Sequence, residues 1–138
     1  MKRGYHVYVS VLFAVLSGFF TGCHTDPYPI VELEGIATFD GKPLQNVNLI
    51  FRPQDNSGKT STAFVAEGGK FIAAYSADRR GVKAGELDVH VGTVDQPGYE
   101  ANEAGKKAVE QYGYQTPPLV ISISKQDKNY QLDFKPRQ

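Results

Sequence analysis

Alternation of apolar and polar side chains at a period of two is the feature that most limits what this chain can become. Leu87, Val89 and Val91 alternate with Glu86, Asp88 and His90. A strand sends successive side chains to opposite faces, so such a stretch buries one face and wets the other. The pattern recurs. Val31, Leu33, Gly35, Ala37 and Phe39 alternate with Glu32, Glu34 and Thr38, with Ile36 an apolar residue on the polar side. Val47, Leu49 and Phe51 alternate with Asn46, Asn48 and Arg52. Short strands are expected at Thr62 to Ala66, at Lys70 to Ser76 and at Leu119 to Ser124. Tyr130, Leu132 and Phe134 complete the series against Gln131, Asp133 and Lys135.

Turn chemistry separates these stretches. Asp40-Gly41-Lys42-Pro43 combines a glycine free to take positive φ with a proline of fixed φ. Residues 54–59 are a polar loop, and Glu67-Gly68-Gly69 joins the third strand to the fourth as a hairpin. Gln126 to Asn129 turns the sixth strand into the seventh, a second hairpin. Seven strands at roughly 8–12-residue spacing predict an all-β domain, a seven-stranded immunoglobulin-like sandwich. Residues 95–118 form a long mixed connection. Its best helical candidate is Glu100 to Tyr112, where Gly105 costs about 1 kcal/mol relative to Ala, so a helical turn or two is expected there.

The N-terminus reads as a targeting signal rather than as part of the sandwich. Lys2 and Arg3 precede the apolar run Val7 to Phe20. Its 14 residues match the roughly 7–15 of a signal-peptide core and fall short of the ~20 that span a bilayer as a helix. Thr21, Gly22 and Cys23 follow, and Cys23 is the only cysteine. Phe20-Thr21-Gly22-Cys23 resembles a lipobox, with Phe20 where an aliphatic is usual. The resemblance implies removal of residues 1–22, a diacylglycerol on Cys23, and a lipid-anchored protein of the bacterial cell envelope facing the extracytoplasmic side. An ordinary signal peptide cut elsewhere and an uncleaved anchor are the alternatives. Residues 23–30 are then a lipidated N-terminus and short tether with two prolines, and residues 31–138 are the domain. A single cysteine offers neither a disulfide nor a zinc cluster.

Composition narrows the rest. The chain has 15 basic and 15 acidic side chains, and losing Lys2 and Arg3 leaves the mature part slightly acidic. A nucleic-acid partner would call for a clustered excess of Lys and Arg, so none is expected.

The strand motifs carry a second resemblance. Gly35-Ile-Ala-Thr-Phe-Asp-Gly-Lys-Pro-Leu44 with Asn48-Leu-Ile-Phe-Arg-Pro53 is similar to the opening of transthyretin-like, carboxypeptidase regulatory-like β-sandwiches. Gly69-Lys-Phe71, the stretch Val82 to Val91 and Tyr112-Gly-Tyr-Gln-Thr-Pro-Pro118 follow in the order of that family. This chain has Lys83-Ala84-Gly85 and Leu87 where Pro-Gly and Tyr are common. The resemblance spans roughly residues 31–135 and implies a prealbumin-like sandwich without catalytic activity, in a binding or structural role. Related hydrolases of urate breakdown end in Tyr-Arg-Gly-Ser, whereas this chain ends Asp133-Phe-Lys-Pro-Arg-Gln138.

Few residues offer chemistry. His24 reads as a solvated tether residue. His90, beside Asp88 on the polar side of its strand, reads as a surface or half-buried histidine, since nothing resembles a nucleophile elbow to complete a triad. Asp55-Asn-Ser-Gly58 holds oxygen ligands but lacks the later bidentate acid of a calcium loop, so it reads as a turn. Arg79-Arg80 reads as a solvated loop. No metal, cofactor or catalytic residue is expected. Tyr99, Tyr112 and Tyr114 in or beside the 95–118 loop are the candidate ligand surface, for a polysaccharide or an envelope protein, or else they cover the sandwich edge.

Overall fold

The computed structural model describes residues 27–138, so Cys23, His24 and the signal segment lie outside the described residues. The elements run β1 (Ile30–Val31), β2 (Leu33–Phe39), β3 (Lys42–Pro43), β4 (Val47–Pro53), β5 (Ser61–Val65), β6 (Lys70–Ile72), β7 (Ala74–Ser76), β8 (Arg79–Arg80), β9 (Val82–Lys83), β10 (Gly85–Thr93), α1 (Glu103–Tyr112), β11 (Leu119–Ile123) and β12 (Asp127–Phe134). No described helix is long and apolar enough to cross a membrane.

The strands form two packed sheets and a small ribbon. One sheet has the order β11-β10-β4-β5-β7-β8. In the other, β2 lies between β12 on one side and β3 and β6 on the other. β1 pairs with β9. Both sheets send their alternate residues inward to one core. Leu49, Phe51, Val89 and Val91 come from the first, and Leu33, Ala37, Phe39, Leu132 and Phe134 from the second. Phe51 and Phe71 meet across the two sheets, with ring centroids 6.1 Å apart. Each fully buried side chain of this kind contributes roughly 1.5–3 kcal/mol.

Strand segments occupy all seven stretches expected from the alternation, but two pairings differ. The fourth stretch is split at Ala73. β6 crosses to β2 in the second sheet, and β7 returns to β5 in the first through Thr62 and Ala74. The expected hairpin therefore survives only at its turn, where Ala66 N–H donates to Lys70 O at 2.9 Å. Phe71, Ala73 and Tyr75 all point inward, so period two holds while the chain changes sheet. The final hairpin is also absent. β11 pairs with β10, whereas β12 runs parallel to β2 in the opposite sheet. Alternation fixes which side chains are inward but not which neighbour supplies the backbone hydrogen bonds.

The third difference is α1, ten residues long where a turn or two was expected. Asn102 caps it, accepting from Gly105 N–H at 2.8 Å. The same Oδ1 accepts from Gln45 N–H at 3.1 Å, and Nδ2 donates to Pro43 O at 2.8 Å. Ala104, Ala108 and Tyr112, spaced four apart, are buried against the sandwich. Gly105 fits where a Cβ would meet Val47 Cγ1 at 3.0 Å. Its small propensity cost is offset by the cap and by the close packing that it permits.

Gly35 has a more demanding role. A Cβ there would sit 1.9 Å from the backbone oxygen of Tyr130 on β12. Gly35→Ala is expected to destabilise the fold by about 3 kcal/mol, read as a lower denaturation midpoint. Ser61 Oγ is buried without a hydrogen-bond partner among the described residues. Ser61→Ala is expected to stabilise the fold by about 1 kcal/mol and so raise the same midpoint, since it removes an unpaired polar group.

Candidate functional site

The outward face of the six-stranded sheet gathers the exposed aromatic residues. Cross-strand register aligns Gly92, Asn48 and Phe64 in one row. His90, Ile50 and Thr62 form the next, and Asp88 and Arg52 the third. Side chains in such rows share a face and touch. Phe64 is 42% exposed and meets Tyr99 edge to face, with centroids 5.7 Å apart. Tyr114 is 68% exposed and stacks on His90, also at 5.7 Å, with the rings 24° from parallel.

The chain reaches this face because α1 ends at Tyr112 and Gly113, its C-cap, is extended. Beneath Tyr114, Gly92 lacks a side chain: a Cβ there would meet Ile50 Cδ1 at 3.3 Å and Tyr114 Cε2 at 3.8 Å. His90 is buried, with Nδ1 3.0 Å from Gly113 O. A carbonyl only accepts, so Nδ1 carries the proton and donates. Thr116 adds two donors to the same carbonyl, from its hydroxyl at 2.9 Å and its N–H at 3.1 Å. A cleft of about 390 Å³ opens beside Tyr114 over Asn48, Ile50, Thr62 and Gly92. At Thr93 it meets a second hollow of about 640 Å³ that runs along residues 94–101 past Tyr99.

The three tyrosines named from the sequence therefore separate. Tyr99 and Tyr114 lie in the two hollows on this face. Tyr112 does not: it is 3% exposed, packs edge to face on Phe134 at 4.9 Å and donates to Lys135 O at 2.6 Å. Arg137 covers its ring at 3.8 Å. As the last residue of α1, Tyr112 points inward with Ala104 and Ala108, which corrects its place in a ligand surface. His90 lies deeper than a surface residue because Tyr114 roofs it. Asp88 is engaged elsewhere, with Gln54 Nε2 at 2.9 Å and Arg52 at 3.6 Å. Phe64, Thr62 and Asn48 join this face without having stood out in the sequence as site residues. Their signal was an aromatic on the wet side of a short strand.

A second cluster sits at the opposite end of β10. Lys83 has a side chain only 10% exposed, and its Nζ lies 3.0 Å and 2.8 Å from the two oxygens of Asp55. It also contacts Ser57 Oγ and lies 4.8 Å from the ring centre of Tyr28. Asp55 further accepts from Ser57 N–H at 3.0 Å and from its hydroxyl at 2.6 Å. In the Asp55-Asn-Ser-Gly58 turn the ammonium takes the position that a cation would hold. Arg79 and Arg80 are exposed, with Glu34 4.0 Å from Arg80. No group of three or more His, Cys, Asp or Glu that could hold a metal occurs among the described residues.

Compared with known proteins, the chain matches no family model, no curated protein and no solved structure.

The Lys83 cluster makes a pH-dependent statement. Hydrogen bonds from the Lys83 ammonium, then from Ser57, hold Asp55 well below the usual carboxylate range. Its folded pKa lies under its unfolded one. The stabilisation is therefore complete above the unfolded value of about 3.9 and fades as pH falls toward the folded value. Asp55→Asn is expected to lower the melting temperature at pH 7, with the gap to wild type narrowing below about pH 4. A gap that stays constant down to pH 2 would show that the pair contributes nothing.

Proposed function

We propose that this chain is a non-catalytic, lipid-anchored protein of the bacterial cell envelope that displays a transthyretin-like sandwich as a binding module. The observation that carries the reading is Phe20-Thr21-Gly22-Cys23 behind the basic start and the 14-residue apolar run. Acyl chains on Cys23 would hold the protein firmly, since each buried methylene contributes about 0.8 kcal/mol.

Geometry supports display in a fixed direction. Cys23 lies five residues before Tyr28, a reach of at most ~18 Å. Tyr28 is already part of the Lys83 cluster, and β1 is paired to β9 directly after it. β10 then runs from Gly85 beside that cluster to Thr93 at the cleft. At about 3.3 Å per residue, the strand carries the cleft roughly 26 Å from the tether end. An anchored domain would thus present its aromatic face away from the bilayer.

The non-catalytic part of the reading is supported by His90 and Asp88 facing different partners instead of each other. A recognition role through the 95–118 segment is favoured by Tyr99 and Tyr114 lying in adjoining hollows on one sheet face.

Mass spectrometry of the membrane-extracted protein tests the anchor. The expected species begins at Cys23 and carries acyl chains. A soluble, unmodified chain beginning elsewhere would sink the proposal.

A further inference from the structure

The cleft beside Tyr114 has a lining that selects a class of ligand. Among the described residues, no Asp, Glu, Lys or Arg side chain lines it. Removing a charge from water without a partner is costly, so this lining disfavours anions and cations alike. The lining is not simply apolar either. Asn48 and Thr62, on the outward side of β4 and β5, bring an amide and a hydroxyl to it. Ile50, Gly92 and the ring of Tyr114 supply the apolar part.

From these features we infer that the cleft binds a neutral saccharide, with a sugar ring stacked on Tyr114 and its hydroxyls bonded by Asn48 and Thr62. A pyranose has an apolar face of C–H groups and a rim of hydroxyls that both donate and accept. Tyr114 matches the first. The Asn48 amide and the Thr62 hydroxyl, each able to donate and accept, match the second. The volume of about 390 Å³ falls within the roughly 300–1,000 Å³ of small-molecule sites.

Tyr114 is also prepared for stacking. It is largely exposed, yet its backbone is pinned by three donors on Gly113 O and its ring lies on His90. A ring already held in place loses little freedom when a ligand covers it. The Phe64–Tyr99 pair stands across the face on the same side. Phe64 and Gly92 are separated by two strand spacings, roughly 10 Å. A chain of sugar units can therefore pass from Tyr114 toward Tyr99 along the second hollow. His90 acts as a positioning residue under Tyr114, not as a contact of the sugar.

This inference rests on the binding role proposed above but not on the lipid anchor. The test is calorimetric titration of the full-length protein in detergent with neutral gluco-, manno-, galacto- and N-acetylhexosamine oligosaccharides. Saturable binding to at least one series is expected. Tyr114→Ala should weaken it about tenfold or more, while Tyr114→Phe, which keeps the ring, should stay close to wild type. Thr62→Leu, at an exposed strand position, should weaken it as well, and melting curves verify that each variant is folded. No saturable binding to any neutral series overturns the inference. So does binding indifferent to Tyr114→Ala, or a preference for polygalacturonate or peptides. Acylation is read by mass on the same preparations. An acylated protein that ignores sugars leaves the anchor standing, and an unacylated one that binds them leaves the cleft standing.

Discussion

The parallel ladder between β2 and β12 is the join on which the sandwich depends. Parallel partners cannot be linked by a tight turn, and here nearly the whole described chain forms the connection. The ladder pairs Tyr130 with Gly35 and Phe134 with Phe39, and Asp40 N–H extends it to Phe134 O at 2.9 Å. Leu33, Ala37, Leu132 and Phe134 reach the core from it. The approach is so close that Gly35 has no room for a methyl group. β2 pairs with β3 and β6 before it, but the second sheet is completed only once the C-terminal strand has arrived. Long-range contacts of this kind make folding slow relative to local hairpins.

α1 follows from the same arrangement. It contacts β10 of one sheet and β2 of the other, and so closes the gap between their ends. A helix there needs one apolar edge and a firm start. Ala104, Ala108 and Tyr112 form the edge, and Asn102 ties the start to the β3–β4 connection. The C-terminal tail then fastens the far end, with Arg137 Nη1 and Nη2 donating to Gln111 O at 2.9 Å and Pro118 O at 3.1 Å. Where the helix stops decides where Tyr114 lies, so the aromatic face is a by-product of the closure.

How much of this was legible depends on whether a signal is local. Inward and outward sides were readable from alternation because side-chain direction is a backbone property of each strand. Leu87, Val89 and Val91 are buried as their spacing demands. Partner choice was not readable. Lys70 to Ser76 looks like one strand, and only the demand of two sheets for neighbours divides it at Ala73. Tyr112 and Tyr114 show the limit most clearly. Two residues apart, they look alike in the sequence, yet one ends a helix whose inner edge it continues and the other follows the helix. The site itself was half visible: Tyr99 and Tyr114 stood out as loop aromatics, but Phe64, Asn48 and Thr62 become neighbours only through the register of β4 with β5.

The two ends of β10 solve opposite problems with one device, a buried polar group that immobilises an exposed segment. At one end the Lys83 ammonium gathers Asp55, Ser57 and Tyr28, three residues that lack regular structure. At the other, His90 reaches through the sheet face to Gly113 O and carries Tyr114 on its ring. Lys83 and His90 are two of the three buried polar residues among the described ones. Such groups are costly to bury unless paired, and both are paired to backbone or side chains outside the strands. A stiff strand fixed at each end to an ordered segment leaves little slack between Tyr28 and the cleft. In the proposed anchored state, that stiffness turns a lipid attachment at one end into an orientation at the other. Ligand capture by a face held in this way would not bear the entropy of ordering a loop first.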